Sequence, residues 1–251
     1  MRRTLGELDR ILRGRATTAD AMRGGTIRIP TVRLGVLLIV LGMTYGVSMG
    51  TFAVTNRADA APMQLLSSML KVPLLFALTL VVTFPSLYVF NALVGSRLGL
   101  PSVWRLIIAA LAVMLALLAS FGPIAAFFSF TTENYAFMLL LHVVVFTVSG
   151  VIGLRVLLRT LERLATTADA DEDDDADEDG AATVGIGAPV RGVFLIWIIV
   201  FGLVGAQMAW VLRPFVGNPD APFAWLRERD SNFFESVWTM LTRLLLSSGV
   251  G

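Results

Sequence analysis

The sequence predicts an all-α integral membrane protein: a five-transmembrane-helix bundle with N- and C-terminal amphipathic interfacial helices. Three observations carry that prediction. Of 251 residues, 56% are hydrophobic and 16% charged, where a soluble domain holds about 25% charged residues. The apolar residues gather into runs of about 20, the length that crosses a hydrocarbon core. One run, KVPLLFALTLVVTFPSLYVFNALVGSRLGLP from Lys71 to Pro101, has no charge between Lys71 and Arg97 yet holds Pro73 and Pro85. A mid-span proline removes a backbone hydrogen bond and clashes one turn back. Lipid offers no replacement partner, so Pro85 marks a kinked helix packed among others.

The chain divides into three parts. Residues 1–33 hold eight arginines against Glu7, Asp9 and Asp20. Leu5, Leu8, Ile11 and Leu12 share a helical face beside Arg10 and Arg13, which suits a basic amphipathic helix lying on anionic lipid. A solvated tail whose arginines only set topology reads equally well. Residues 34–212 form the transmembrane domain, with spans at about 34–54, 69–94, 103–130, 135–158 and 193–212. Residues 213–251 follow as an aromatic segment and a second amphipathic helix.

In the first span Gly42, Gly46 and Gly50 recur every fourth residue, a helix-packing face that lets another backbone approach closely. Its partner is either a helix of the same chain or a second copy. In the second span Thr79, Thr83 and Ser86 share a face near Pro85. Their hydroxyls either bond their own backbone around the kink or line a polar path. The third span carries a second break at Gly122-Pro123, followed by Phe127, Phe128 and Phe130 at interfacial positions. TTEN (131–134) is a short turn.

The fourth span holds His142, the only histidine, with Ser149 and Gly153 on the same face. One histidine without cysteine or a nearby carboxylate makes no metal site. Arg155, Arg159 and Arg163 end that span, and residues 164–190 follow as an acidic loop. Within it ADADEDDDADEDG (168–180) has nine acidic residues and none basic or aromatic, so the loop is expected to be disordered. Asp175 to Gly180 mimics half of a calcium loop, but Ile186 stands where the bidentate glutamate belongs. The fifth span contains Gln207 and Trp210. Beyond it comes FVGNPDAPFAW, then Asn232 as an N-cap with Glu235 three residues later. Phe234, Val237, Trp238, Leu241, Leu244 and Leu245 form one apolar stripe on a helix too short to span.

Fourteen of the twenty basic residues fall on the N-terminal side of a five-span topology. That places the N-terminus and the acidic loop in the cytoplasm and the C-terminus outside a plasma (inner) membrane. His142, Gln207 and Thr79 come out at a similar depth in the outer half of the bundle. They form a candidate polar layer, with Lys71 at the mouth of any cavity as an anion attractor and Thr83 and Ser86 beside the kinks at Pro85 and Pro123. No catalytic residue, cofactor or metal site is expected, because HExxH, GxSxG, Walker and dinucleotide fingerprints are missing. The basic N-terminus lacks any nucleic-acid motif, so its partner is the lipid bilayer, not DNA or RNA. A homo-oligomer or another membrane protein are the remaining expected partners.

The spacing, together with LVGSRLGLPS (Leu93–Ser102) entering a helix broken at Gly122-Pro123, resembles the Yip1-type membrane proteins. The resemblance covers about Leu65 to Phe215. It implies a cytoplasmic N-terminus, five closely spaced helices and a non-enzymatic, membrane-organising role, and it transfers no functional residue. The acidic insertion and the long C-terminal tail depart from that pattern, and the DLYGP-type signature is missing. The runner-up expectation is a channel or transporter subunit, since proline-broken helices near polar side chains build midplane sites. As a solvated linker, Asp169–Asp179 should be dispensable. Its deletion should leave membrane insertion and thermal stability unchanged, and calcium titration should give no affinity tighter than about 10 µM, the sensor range.

Overall fold

The computed structural model describes Gly6 and residues 31–56, 61–93, 100–173, 187–218, 222–228 and 231–248. Six helices account for the regular structure among them: α1 (Thr31–Asn56), α2 (Ala61–Leu93), α3 (Leu100–Thr131), α4 (Tyr135–Asp173), α5 (Gly187–Val211) and α6 (Phe233–Ser248). The described residues contain no strand. The expected N-terminal amphipathic helix lies outside the described residues.

Two boundaries differ from the sequence expectation. α2 begins at Ala61 rather than near residue 69, with Pro62 in its first turn, where a missing N–H is harmless. Lys71 therefore sits well inside a helix and not at its end. α4 continues to Asp173, so residues 164–173 are helical where disorder was expected. Leu, Ala and Arg up to Ala165 favour helix strongly enough to carry it into the acidic run. Residues 174–186, including the calcium-loop mimic, lie outside the described residues. Nor is the chain interrupted at Gly122-Pro123, because α3 remains helical through Pro123. α2 is likewise unbroken through Pro73 and Pro85.

The helix ends have identifiable causes. Asn134 starts α4: its Oδ1 accepts from the Phe137 N–H at 3.0 Å, and its carbonyl accepts from Met138 at 3.1 Å. Asn232 does the same for α6, accepting from the Glu235 N–H at 3.0 Å. Each satisfies amide donors that a helix start otherwise leaves orphaned.

Four helical stretches are long and apolar enough to cross a membrane: Val32–Asn56, Ala61–Ser86, Ile107–Thr131 and Tyr135–Val156. α5 contributes a shorter apolar stretch, Leu195–Val211. Large apolar side chains such as Val36, Val81, Phe130 and Val144 are exposed on these helices, as expected where the surrounding medium is hydrocarbon. α3 is the most enclosed of the four. Ile107 through Leu115 are all buried, so its middle is apolar all round.

The chain forms two compact units. One comprises Met1–Leu37, Thr83–Met114 and Val151–Val200. In it Gly153 lets α4 approach α3, where a Cβ would lie 2.9 Å from Met114 Cβ and 3.3 Å from the Ala110 carbonyl oxygen. Phe84 meets Trp104 edge to face at 5.0 Å, and the Trp197 indole donates to the Thr83 carbonyl at 3.0 Å.

The other unit comprises Leu38–Val82, Leu115–Gly150 and Phe201–Gly251. Its α1 and α2 pack antiparallel, because Gly42 faces Pro73, Gly46 faces Ser68 and Met69, and Gly50 faces Leu65. The three-glycine face thus has its partner within the chain. A Cβ on Gly46 would lie 2.5 Å from the Ser68 carbonyl oxygen and 2.7 Å from Met69 Cα. Backbone atoms cannot swing aside, so any side chain there forces the helices apart. Gly46→Ala should lower stability by about 1–3 kcal/mol, the usual penalty for overpacking. Gly202→Ala, with nothing within 4 Å, should be neutral. Thermal unfolding of the two variants in detergent checks this, and equal melting points would refute the close contact.

Candidate functional site

The residues that converge most tightly in the second unit lie on one face of α2. Gln64, Ser67, Ser68 and Lys71 are spaced at 0, 3, 4 and 7, which stacks them along the helix over two turns. All four are buried; Gln64, Ser67 and Ser68 have no exposed surface and Lys71 retains 5%. Over them lies the segment that follows α5, a strap containing Pro214, Phe215 and Trp225.

Side chains of α2 hold that strap by its carbonyls. Lys71 Nζ donates to the Pro214 carbonyl at 3.0 Å and to the Trp225 carbonyl. Gln64 Nε2 donates to the carbonyls of Pro214 (3.3 Å) and Phe215 (3.0 Å). Ser68 Oγ also donates to Phe215 O. The Phe215 ring lies 6.0 Å from the Lys71 nitrogen, within reach of a cation–π attraction. Gly217 has φ +79°, and a Cβ on it would lie 2.8 Å from Gln64 Cγ. Glycine is required there both for the backbone conformation and for the close approach.

The strap is pinned again at its root. Trp210 Nε1 donates to the Ser231 carbonyl at 2.6 Å. The Arg213 guanidinium stacks 3.6 Å from the Trp210 ring centre and donates to the Glu228 carbonyl.

Satisfaction of this polar group is incomplete. Gln64 Oε1 and Ser67 Oγ are buried and have no hydrogen-bond partner among the described residues. Each such atom costs roughly 1–3 kcal/mol. Lys71 takes its partners from carbonyls, and no acidic side chain pairs with it among the described residues. Buried ammonium groups are usually compensated by an acid.

A second buried polar contact joins α1 to α4. The Tyr45 hydroxyl and His142 Nδ1 lie 2.8 Å apart, one donating to the other. Their rings meet edge to face at 5.7 Å, and Tyr45 also meets Phe146 at 5.5 Å. His142 Nε2 has no partner among the described residues, nor has the buried Ser149 hydroxyl.

The expected polar layer is only partly assembled. Thr79 and His142 are buried, whereas Gln207 is half-exposed. The Thr79 hydroxyl bonds the Leu75 carbonyl at 2.7 Å in its own helix, and α5 approaches it through Gly205. Ser86 bonds the Thr83 carbonyl at 2.7 Å, a carbonyl that Trp197 also caps. Near Pro85 the hydroxyls thus return to their own backbone, the use expected where lipid cannot satisfy it. Lys71 is not at a cavity mouth, because the strap covers it.

Sequence reading missed Tyr45 as the partner of His142. It also missed the row from Gln64 to Ser68, although the spacing of those residues with the chain's only lysine was visible. Among the described residues, no group of histidines and acids could hold a metal ion. No family model, curated protein or solved structure matches the chain.

Tyr45→Phe should leave both nitrogens of His142 unsatisfied and lower stability by about 1–3 kcal/mol. Adding His142→Leu should restore part of that loss, because the orphaned ring is then gone. Denaturant unfolding of the two single variants and the double variant measures the coupling, and strict additivity would show that the pair contributes nothing.

Proposed function

We propose that this chain is a non-enzymatic, multi-pass protein of the plasma (inner) membrane that organises the membrane or recruits partners there. In this reading α5 is a fifth span, the N-terminus is cytoplasmic with its arginines against anionic lipid, and the C-terminus is outside, as the Yip1-type resemblance implies.

The observation that supports it best is α6. Phe234, Trp238, Leu241 and Leu245 recur along it at one-turn spacing and are exposed. Trp210 and Arg213 fix the segment that leads into it. A capped, apolar-faced helix displayed from a fixed base suits contact with a bilayer interface or with an apolar partner surface. The hydroxyls of Thr79, Ser86 and Ser129, by contrast, bond carbonyls of their own helices. Hydroxyls turned back to their own backbone favour a packed bundle over a conducting path.

A photo-crosslinking residue in place of Trp238 in native membranes tests the reading, alongside ion-flux assays on proteoliposomes. Discrete protein adducts and flux no higher than in empty liposomes are expected. Steady ion flux, with adducts to lipid alone, would replace this reading with that of a channel or transporter subunit.

A further inference from the structure

We propose that the strap is a latched cover over a receptor for an oxyanion, a phosphate or carboxylate group, with Lys71 as both latch and ligand. The proposal goes beyond the membrane-organising role and does not depend on it.

The donors come first. On one face of α2 an ammonium, a carboxamide and two hydroxyls are stacked within two turns, at Lys71, Gln64, Ser67 and Ser68. A phosphate or carboxylate, with several acceptor oxygens and negative charge, is the group such a row fits. Three of the four donate to acceptors from one peptide segment, the carbonyls of Pro214, Phe215 and Trp225. These oxygens occupy the positions that a ligand's oxygens would take, but they bring no negative charge.

The charges point the same way. Arg227 lies two residues beyond Trp225, whose carbonyl Lys71 holds, and it too donates to a strap carbonyl, that of Pro222 at 3.4 Å. Two like charges near one buried position repel each other, and an anion between them reverses the sign of that term.

The closed state also carries a defect that opening relieves. Gln64 Oε1 and Ser67 Oγ are buried and have no partner among the described residues. With the strap lifted, Gln64 Oε1 meets water and the Ser67 hydroxyl is free to donate to the incoming oxyanion. Carbonyls held by side chains can exchange their partners one at a time, without unwinding a helix. The closed and open arrangements are thus two states of one segment, and an oxyanion binds only the open one.

Hydrogen exchange read by mass spectrometry on the full chain in nanodiscs tests this through the strap amides. In zwitterionic discs, Lys71→Met should speed exchange across 213–226 by about tenfold or more and leave the spans unchanged. Unchanged strap exchange in that variant overturns the latch.

For the receptor, the wild-type chain is compared in three settings: zwitterionic discs with chloride, the same discs with inorganic phosphate at equal ionic strength, and phosphatidylglycerol discs without phosphate. Faster strap exchange with phosphate alone identifies a soluble oxyanion, and faster exchange in the anionic discs alone identifies a lipid headgroup. Acceleration in both assigns the oxyanion class to either source. No acceleration in either setting overturns the receptor. The wild-type comparison holds even where Lys71→Met fails to fold.

Discussion

Backbone packed on backbone between α1 and α2 is the contact on which the second unit rests. Gly42, Gly46 and Gly50 remove every side chain from one stripe of α1, so α2 comes close enough for Ser68 and Met69 to meet it through main-chain atoms. In hydrocarbon there is no hydrophobic drive to press helices together, and close van der Waals fit takes its place. That fit fixes the rotation of α2 about its own axis. With Leu65, Ser68, Met69 and Pro73 turned toward α1, the row from Gln64 to Lys71 is set where the strap crosses it. Gly122 on α3 makes room for a side chain instead, since a Cβ there would lie 2.8 Å from Ser48 Oγ.

The second constraint is that a polar group away from water needs a partner within the protein. Three kinds of partner are used. Hydroxyls of Thr79, Ser86 and Ser129 bond carbonyls of their own helices. Tyr45 and Trp197 reach a neighbouring helix, at His142 and Thr83. Lys71, Gln64 and Ser68 reach an irregular segment that has no helical hydrogen bonds of its own to make. Irregular backbone can lie against buried helices only if side chains supply donors for its carbonyls, and α2 supplies them.

What the sequence made legible follows from periodicity. Uncharged runs marked the long helices, the four-residue glycine spacing marked a packing face, and Asn232 with Glu235 marked the start of α6. Local chemistry dictates each of these. The start of α2 was harder to see, because the polar residues Gln64, Ser67 and Ser68 look like a loop until their common face is covered by something. Its cover lies about 150 residues away, and no local pattern announces a contact at that separation. Tyr45 and His142 were hidden for the same reason: each is an ordinary residue in an apolar helix until the other is placed 2.8 Å from it.

Distance along the chain also has a consequence in time. Lys71 is separated from its Trp225 partner by 154 residues. At a synthesis rate of about 5–20 residues per second, roughly 8–30 s pass between the emergence of the lysine and that of its acceptor. During that interval the first turns of α2 carry a charge and three polar side chains with nothing to cover them. The nascent helix must therefore wait with this end in contact with water or with the insertion machinery. Its seating in the bundle becomes one of the last steps of the protein's biogenesis, although α2 is among the first helices to be made.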